Sequence, residues 1–290
     1  MPAGEGAIVD QTTGPDRRWL ESRLVTISDA VRHQAMHPFV TLSAPSGWQK
    51  IDAGHCLVLL HPLPYPIPVE PSADLTPDAV DAALEEARSL ARGQGNDTVV
   101  WLCGPDHPWL GEELTRRGLR NEDSPGYEST ENAMALVEPP AGRHAEELRV
   151  ALVESFEDYA AGVRVEAAAF EISEEDRAEL EAGLPARWAD YAAETNELRR
   201  WNASIDGRVV GTAEGMMGPG GLNLFGGAVV QEARGKGAYR ALVSARWEYA
   251  VAHGTPALTV QAGRMSMPVL ERLGFQHLAE MRMYVDDLSA

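Results

Sequence analysis

The chain is poor in cysteine, in lysine and in long apolar runs. Its 290 residues include only two cysteines, Cys56 and Cys103, and two lysines, Lys50 and Lys236. Two cysteines are too few for a disulfide framework or a zinc cluster and fit a reducing compartment. No run approaches the roughly 20 apolar residues that span a bilayer, and residues 1–18 lack signal-peptide features. We therefore expect a cytoplasmic protein without a membrane partner.

The charge is strongly acidic, with a formal net charge of −19. An acidic surface repels phosphate backbones and attracts cations, so nucleic acid is excluded as an expected partner and a cationic substrate is compatible. The eight histidines are scattered without ligand spacing, so no metal site is expected. Abundant arginine, alanine and glycine beside scarce lysine suggest a GC-rich bacterial genome.

The length allows two domains of about 100 to 150 residues each. Paired prolines and a glycine at residues 137–143 are typical of a linker. The predicted organisation is a flexible tail at 1–20, a first domain at 21–138, a linker at 139–146 and a second domain at 147–290.

Each half ends in a similar unit. A strand at residues 98–103 is followed by Gly104, Pro108 and the pair at 118–119, and a strand at 257–261 is followed by Gly263, Pro268 and the pair at 274–275. The two units are about 160 residues apart, which predicts two copies of one fold.

The first copy has an unusual connection. A strand is predicted at residues 56–60 and a helix from Thr76, its expected cap, to about Arg92. The run between them at 61–71 is proline-rich, so it is predicted as an extended loop without the N–H groups needed to wrap a phosphate. This copy is therefore predicted to be degenerate.

The second copy has the same order of elements. Its pattern predicts a strand at 148–152, helices at 154–170 and 174–191, and antiparallel strands at 198–205, 209–216 and 222–230. The expected fold class is α/β (α+β), with two tandem domains that each have a mixed, mostly antiparallel sheet flanked by helices. The carboxylates of residues 154–181 are predicted to form a solvated helical face, of which a few could anchor an amine.

Residues 228–242 carry the clearest functional signal. A strand leads into a turn with Gly235 and Gly237, and a helix follows at once. Because a helix amino terminus has unpaired N–H groups and a partial positive charge, and glycines let the backbone approach an anion, this loop is a candidate pyrophosphate site. It is neither a Walker A loop nor a GxGxxG motif.

This segment resembles motif A of the GNAT (GCN5-related N-acetyltransferase) family, which reads Arg or Gln, two residues, Gly, one residue, then Gly or Ala. Arg234 and Gly237 match, and Tyr239 departs from the pattern. The pair Gly274-Phe275 also resembles the Leu-Gly-Phe sequence with which the last helix of the family usually ends. The resemblance implies a tandem GNAT protein that uses acetyl-CoA as acyl donor.

The resemblance also implies site residues. The CoA pyrophosphate would lie on the loop and the pantetheine arm along the preceding strand, and the residues implied for cofactor binding are Val229, Val230, Arg234, Gly235, Lys236, Gly237, Ala238, Tyr239 and Ser266. The amide of Val229 or Val230 is the expected oxyanion donor. The candidate bases are Glu214, which is preferred, and Glu232. Because Leu270 occupies the position of the family's tyrosine acid, the candidate proton donors are Ser266 and Tyr284.

Three functions remain open. The first is an N-acetyltransferase that acts on a primary amine of a small cationic molecule, such as an amine antibiotic or a polyamine. The second is a non-catalytic CoA-binding sensor or scaffold, and the third is a thiol-conjugate acetyltransferase similar to mycothiol acetyltransferase. A monomer or a homodimer fits each of them.

Overall fold

The computed structural model describes residues 26–63, 65–142, 147–170 and 172–289. The predicted tail at 1–20 and residues 143–146 of the predicted linker lie outside these ranges. Within them, no helix is long and apolar enough to cross a bilayer.

The first half contains four helices and six strands within the described ranges. The helices are α1 (Asp29–Met36), α2 (Pro38–Thr41), α3 (Val80–Gly93) and α4 (Leu110–Arg116), and the strands are β1 (Gln49–Asp52), β2 (Cys56–Leu60), β3 (Ile67–Pro71), β4 (Thr98–Cys103), β5 (Arg120–Asn121) and β6 (Thr130–Leu136). The predicted strand at 56–60 and helix before Gly93 are present, although the helix begins with a 3₁₀ turn at Pro77–Ala79 and Thr76 makes no side-chain cap.

The second half follows the predicted order. It contains β7 (Leu148–Leu152), α5 (Phe156–Ala169), α6 (Glu174–Tyr191), β8 (Leu198–Ile205), β9 (Arg208–Gly218), β10 (Gly221–Val229), α7 (Ala238–Ala252), β11 (Leu258–Ala262), α8 (Met267–Leu273) and β12 (Gln276–Asp287). Ser155 and Ser173 cap the two helices by accepting N–H bonds from Asp158 and Asp176.

All the described strands join one mixed sheet. Its order is β1-β2-β3-β4-β12-β6-β11-β10-β9-β8-β7, with β5 beside β12. The last strand of each half therefore pairs with the other half: β6 lies against β11, and β12 lies against β4. The two halves thus exchange strands that are distant in sequence. The domain boundaries given above stay a prediction.

The proline-rich run at 61–71 is only partly a loop. Its last five residues form β3, which pairs antiparallel with β2 and parallel with β4. The connection that leads to the helix of this half is thus residues 72–76, and the prediction of a continuous extended loop was wrong. All five residues of the strand are buried between its neighbours. The free energy of this burial offsets the ladder hydrogen bonds that Pro68 and Pro71 cannot donate.

Helices cover both faces of the sheet in the second half. The Asn202 side chain donates to the Asp158 carbonyl of α5 at 2.7 Å, whereas the Trp201 ring lies 5.2 Å from the Tyr249 ring of α7. Because adjacent strand residues point to opposite faces, α5 and α7 lie on opposite sides. Helix α1 lies on the α5 side, where the Gln34 amide donates to Thr259 at 2.8 Å.

Candidate functional site

The parallel strands β10 and β11 separate along their length. They pair only at Leu222 with Leu258 and at Asn223 with Thr259. Beyond Phe225, β10 has an irregularity in its pairing with β9, and Gly226 there has φ 48°. Two parallel strands that diverge leave backbone N–H and C=O groups without a ladder partner between them. The sheet therefore has an open cleft at its centre.

The glycine-rich loop lies at the end of β10. Gly235 and Gly237 have φ values of 78° and 88°, a region that glycine adopts without steric cost. Gly237 precedes α7, and the first bond of the helix runs from the Ala241 N–H to the Gly237 carbonyl at 3.0 Å. The N–H groups of the first turn therefore have no acceptor within the helix. This geometry suits an anion, and the pyrophosphate site at this loop stays a prediction.

The side chains of the loop have different positions. Arg234 donates from Nε to the Val229 carbonyl at 3.2 Å and from Nη2 to the Ala169 carbonyl at 3.4 Å, so it fastens the loop to β10 and to the end of α5. Lys236 is exposed. The Tyr239 ring lies against Gly227, where an added Cβ would come within 2.8 Å of its Cε2. The large residue at the motif position is therefore accommodated by a glycine on the neighbouring strand.

The backbone distinguishes Val229 from Val230. The Val230 N–H donates to the Val210 carbonyl of β9 at 3.0 Å. Since successive N–H groups of a strand point to opposite edges, the Val229 N–H points away from β9 and toward the cleft. Of the two predicted oxyanion donors, Val229 has the favourable orientation.

A cavity of about 500 Å³ opens from the cleft. Glu214 lines it from the α5 face, and Tyr239 and Arg246 line it from α7, so the cavity passes through the sheet between β10 and β11. Many of its other lining residues come from the first half, including Phe39 and Trp48. The cavity is thus built by both halves of the chain.

Glu214, the preferred base of the sequence prediction, is held by an arginine. Arg200 donates from Nε and Nη2 to Glu214 Oε1 at 3.0 and 2.6 Å, and from Nη1 to Glu166 Oε2 at 3.0 Å. Burial alone would lower the pKa of Arg200, but the two carboxylates outweigh it and raise that pKa. For Glu166, burial raises the pKa despite the arginine. Arg200 of β8 thus links Glu166 of α5 to Glu214 of β9 beside the cavity.

Arg246 is a second buried cation at the cavity. It is 1% exposed, and it donates from Nε to the Leu242 carbonyl at 3.1 Å and from Nη1 to the Glu214 carbonyl at 3.0 Å. Its Nη2 has no hydrogen-bond partner among the described residues. Burial lowers its pKa to about 10, although nearby Tyr239 opposes this effect.

The remaining predicted residues are dispersed. Ser266 lines the cavity, and its hydroxyl donates to the Gly263 carbonyl at 3.2 Å. Glu232 is exposed and pairs with Arg208 at 3.2 Å, outside the cavity lining. Tyr284 is buried in the core of the first half, because β12 pairs there with β4. Leu270 is fully buried in the core of the second half. The structure therefore brings Ser266 and Glu214 to the cavity, but neither Glu232 nor Tyr284.

Glu131 lines the cavity and was missed in the sequence analysis. It lies on β6 two residues before Ala133, which pairs with Gln261 of β11, so its side chain is on the face covered by α1. Burial, together with repulsion from Glu128, raises its pKa to about 7, although an N–H bond from the Glu128 backbone opposes the shift. No local motif marks this residue, because β6 reaches the cavity only through the exchange of strands. In the described part of the chain, His, Cys, Asp and Glu side chains form no cluster of three or more that could hold a metal ion.

Comparisons with known proteins agree with this geometry. Residues 164–275 match the family model described as Acetyltransferase (GNAT) family. A GCN5-related N-acetyltransferase from Kribbella flavida has a similar structure, with a TM-score of 0.66 and 17% identity over 90% of this chain and 96% of that chain. One from Sphaerobacter thermophilus gives a TM-score of 0.55 and 16% identity over 82% of each chain.

A tandem GNAT protein from the clavulanic acid biosynthesis pathway is similar over nearly the whole length, with a TM-score of 0.57 and 16% identity over 94% of this chain and 95% of that chain. No curated protein matches the sequence significantly. The expected mixed α/β fold is confirmed, and so is the resemblance to the GNAT family. Residues 164–275 are a domain of the GNAT acetyltransferase family, within a chain that has the fold of a tandem GNAT protein.

Proposed function

We propose that this chain transfers the acetyl group of acetyl-CoA to a primary amine of a small molecule that carries a positive charge. The observation that carries the proposal is the continuity of the site. The cavity of about 500 Å³ is lined by Gly226 and Gly227, where β10 has left β11, and by Tyr239, in the first turn of the helix that follows the glycine-rich loop. A thioester arm that entered at the loop would therefore end where a second molecule can bind.

Residues of the glycine-rich loop bind the donor, acetyl-CoA. The amides of Gly235 and of residues 237–239 hold the pyrophosphate. The Lys236 N–H donates to the Ala233 carbonyl at 3.3 Å, and its side chain adds a charge-assisted contact. Arg234 keeps the loop in position through its bonds to the Val229 and Ala169 carbonyls. Gly235 supports this assignment, because nothing lies within 4 Å of the position of an added Cβ and the loop is open there. Acetyl-CoA supplies an acyl group activated as a thioester.

The reaction forms a C–N bond and breaks a C–S bond. The amine loses one proton to a base, and the departing thiolate gains one. Val229 N–H stabilises the negative charge on the carbonyl oxygen. The Ser266 hydroxyl turns from the Gly263 carbonyl to donate to the sulfur. Glu214 orders the acceptor side through water, since its Oε1 already accepts two bonds from Arg200.

A CoA-binding protein without turnover is the second candidate. Leu270 favours it, because a fully buried leucine occupies the position of the family's tyrosine acid. Measured turnover with an amine separates this candidate from the first.

Thermal unfolding with and without acetyl-CoA tests the donor site. Ligand at about a hundred times its Kd stabilises the fold by roughly 2.7 kcal/mol. Lys236→Glu should reduce the upshift, whereas Arg177→Glu, the same charge reversal at an exposed position on α6, should retain it. Release of free thiol, followed with a colorimetric thiol reagent, then measures turnover. A wild-type protein that shows neither an upshift nor thiol release would refute the proposal.

A further inference from the structure

We infer that the first half of the chain binds the acceptor, that this acceptor is a monoamine with an apolar, ring-sized body, and that Glu131 contacts its amino group and accepts the proton. The inference rests on the proposed function and specifies its substrate class. It assigns catalytic work to a half of the chain that the sequence marked as degenerate. Four observations support it.

The first observation is the apolar wall of the cavity. The first half contributes large apolar and aromatic side chains, among them Phe39, Leu42, Trp48, Leu59, Leu63 and Tyr127. Aromatic side chains prefer ring partners in stacked or edge-to-face contact, and they provide much apolar area to bury. Such a wall favours an aryl or cycloalkyl group over a sugar or an extended polyamine.

The second observation is that this wall is held rigidly. Glu70 is 1% exposed, and its carboxylate accepts the Phe39 N–H at 2.9 Å and contacts His37 Nδ1 at 3.1 Å. The ring of Trp48 lies 4.7 Å from that of His61. A preorganised pocket loses less entropy on binding than a mobile one. Glu70 therefore holds the start of α2, which carries Phe39, and His61 packs against Trp48.

The third observation is the count of carboxylates that face the cavity. Glu131 and Glu214 line it among the described residues, and Glu214 is bound to Arg200. Among the described residues that line the cavity, Glu131 is then the carboxylate whose charge no arginine or lysine balances. A ligand with several cationic groups would leave the others unpaired against apolar side chains, which is costly. The cavity therefore suits one amino group.

The fourth observation is the surroundings of Glu131. Glu128 lies nearby but is fastened to Arg264, whose N–H it accepts at 2.8 Å. On β12, Glu280 and Arg282 pair with each other at 2.8 Å. They flank Met281, which lies opposite Glu131, so they point to the other face of the sheet.

Other ionisable groups on the same face are committed elsewhere. His37 at the end of α1 contacts Glu70 and Asp106, and Tyr127 has a pKa raised by burial and by Glu131 itself. None of these groups supplies a cation to Glu131. Its carboxyl group therefore has a pKa near that of a general base working at neutral pH, which favours proton transfer from the amine.

Acetylation rates with three amines test the substrate class. The probes are 2-phenylethylamine, spermidine and kanamycin, each with saturating acetyl-CoA. We expect kcat/KM for 2-phenylethylamine to exceed the other two at least about 100-fold, since one ring fills the pocket and one charge meets Glu131. Phe39→Ala should raise KM for 2-phenylethylamine and change kcat less. Preference for spermidine or kanamycin would overturn the inference.

The pH profile tests the role of Glu131. Glu131→Gln should lower kcat at least about 100-fold and remove the acidic limb of kcat/KM near neutral pH. Glu128→Gln is the matched control and should retain kcat, because Glu128 does not line the cavity. It should also retain the acidic limb, moved to lower pH because the repulsion from Glu128 is lost. Unchanged kcat and an unchanged acidic limb in Glu131→Gln would exclude it as the base.

The acetyl-CoA upshift keeps the two proposals separable. Glu131→Gln should retain the upshift, which also shows that the variant is folded. Absence of both the upshift and thiol release in the wild-type protein refutes the proposed function itself. An upshift without acetylation of 2-phenylethylamine, but with acetylation of another amine, refutes the substrate class alone.

Discussion

The stability of Glu131→Gln should depend on pH differently from that of the wild-type protein. The carboxyl group of Glu131 has an ordinary pKa of 4.5 and a pKa of about 7 in the folded chain. The folded state therefore binds this proton more tightly than the unfolded state. Its contribution to stability is fully present below pH 4.5 and is lost as the pH rises through 7.

The magnitude follows from the size of the shift. Each pKa unit corresponds to about 1.4 kcal/mol, so a shift from 4.5 to about 7 gives an upper value of about 3 kcal/mol. Because part of the side chain remains in contact with solvent, we expect about 1 to 3 kcal/mol. Glutamine carries no charge at any pH and removes this dependence. Relative to wild type, the variant should gain that amount between pH 4.5 and 8.

Urea unfolding of both proteins at several pH values measures the difference. Most of the acidic chain titrates identically in the two proteins, so the difference in free energy of unfolding isolates Glu131. A difference that stays constant from pH 4.5 to 8 would show that the carboxyl group is well solvated. Burial would then not raise the pKa of Glu131, whatever the activity assays show.

Two further substitutions test the framework of the site by urea unfolding. Arg200→Met should cost about 3 to 5 kcal/mol because it leaves Glu166 and Glu214 without their cation, and a loss under about 1 kcal/mol would mean that water replaces the arginine. Gly221→Ala, at φ 112° and against a backbone carbonyl, should cost at least about 2 kcal/mol. Its control Gly54→Ala, at φ 95° in open space, should cost about 1 kcal/mol. Equal losses of unfolding free energy in the two variants would show that the contact with the Ala257 carbonyl does not matter.

Local signals in the sequence were sufficient for most elements of the second half. The sequence pattern predicted helices at 154–170 and 174–191 and the strands that follow them, and the structure has these elements within a few residues of the predicted limits. The glycine-rich loop could also be predicted from local signals. Positive φ at Gly235 and Gly237 and the helix that follows depend on residues within a few positions of one another.

Proline misled the prediction in the first half. Prolines remove ladder donors and argue against a central strand, yet β3 contains Pro68 and Pro71 and lies between β2 and β4. Burial of Ile67 and Val69 between two apolar strands outweighs the lost bonds. That balance depends on partners elsewhere in the chain, which the local pattern does not contain.

The sequence alone determined which half carries the glycine-rich loop, because that loop is built from neighbouring residues. The tertiary structure alone decided what surrounds the cavity. Pairing of β6 with β11 brings Glu131 next to a strand that lies more than a hundred residues later, and pairing of β12 with β4 removes Tyr284 to the other core. The physical reason is that strand exchange is selected by the burial and hydrogen bonding of the whole sheet, and no segment encodes it separately.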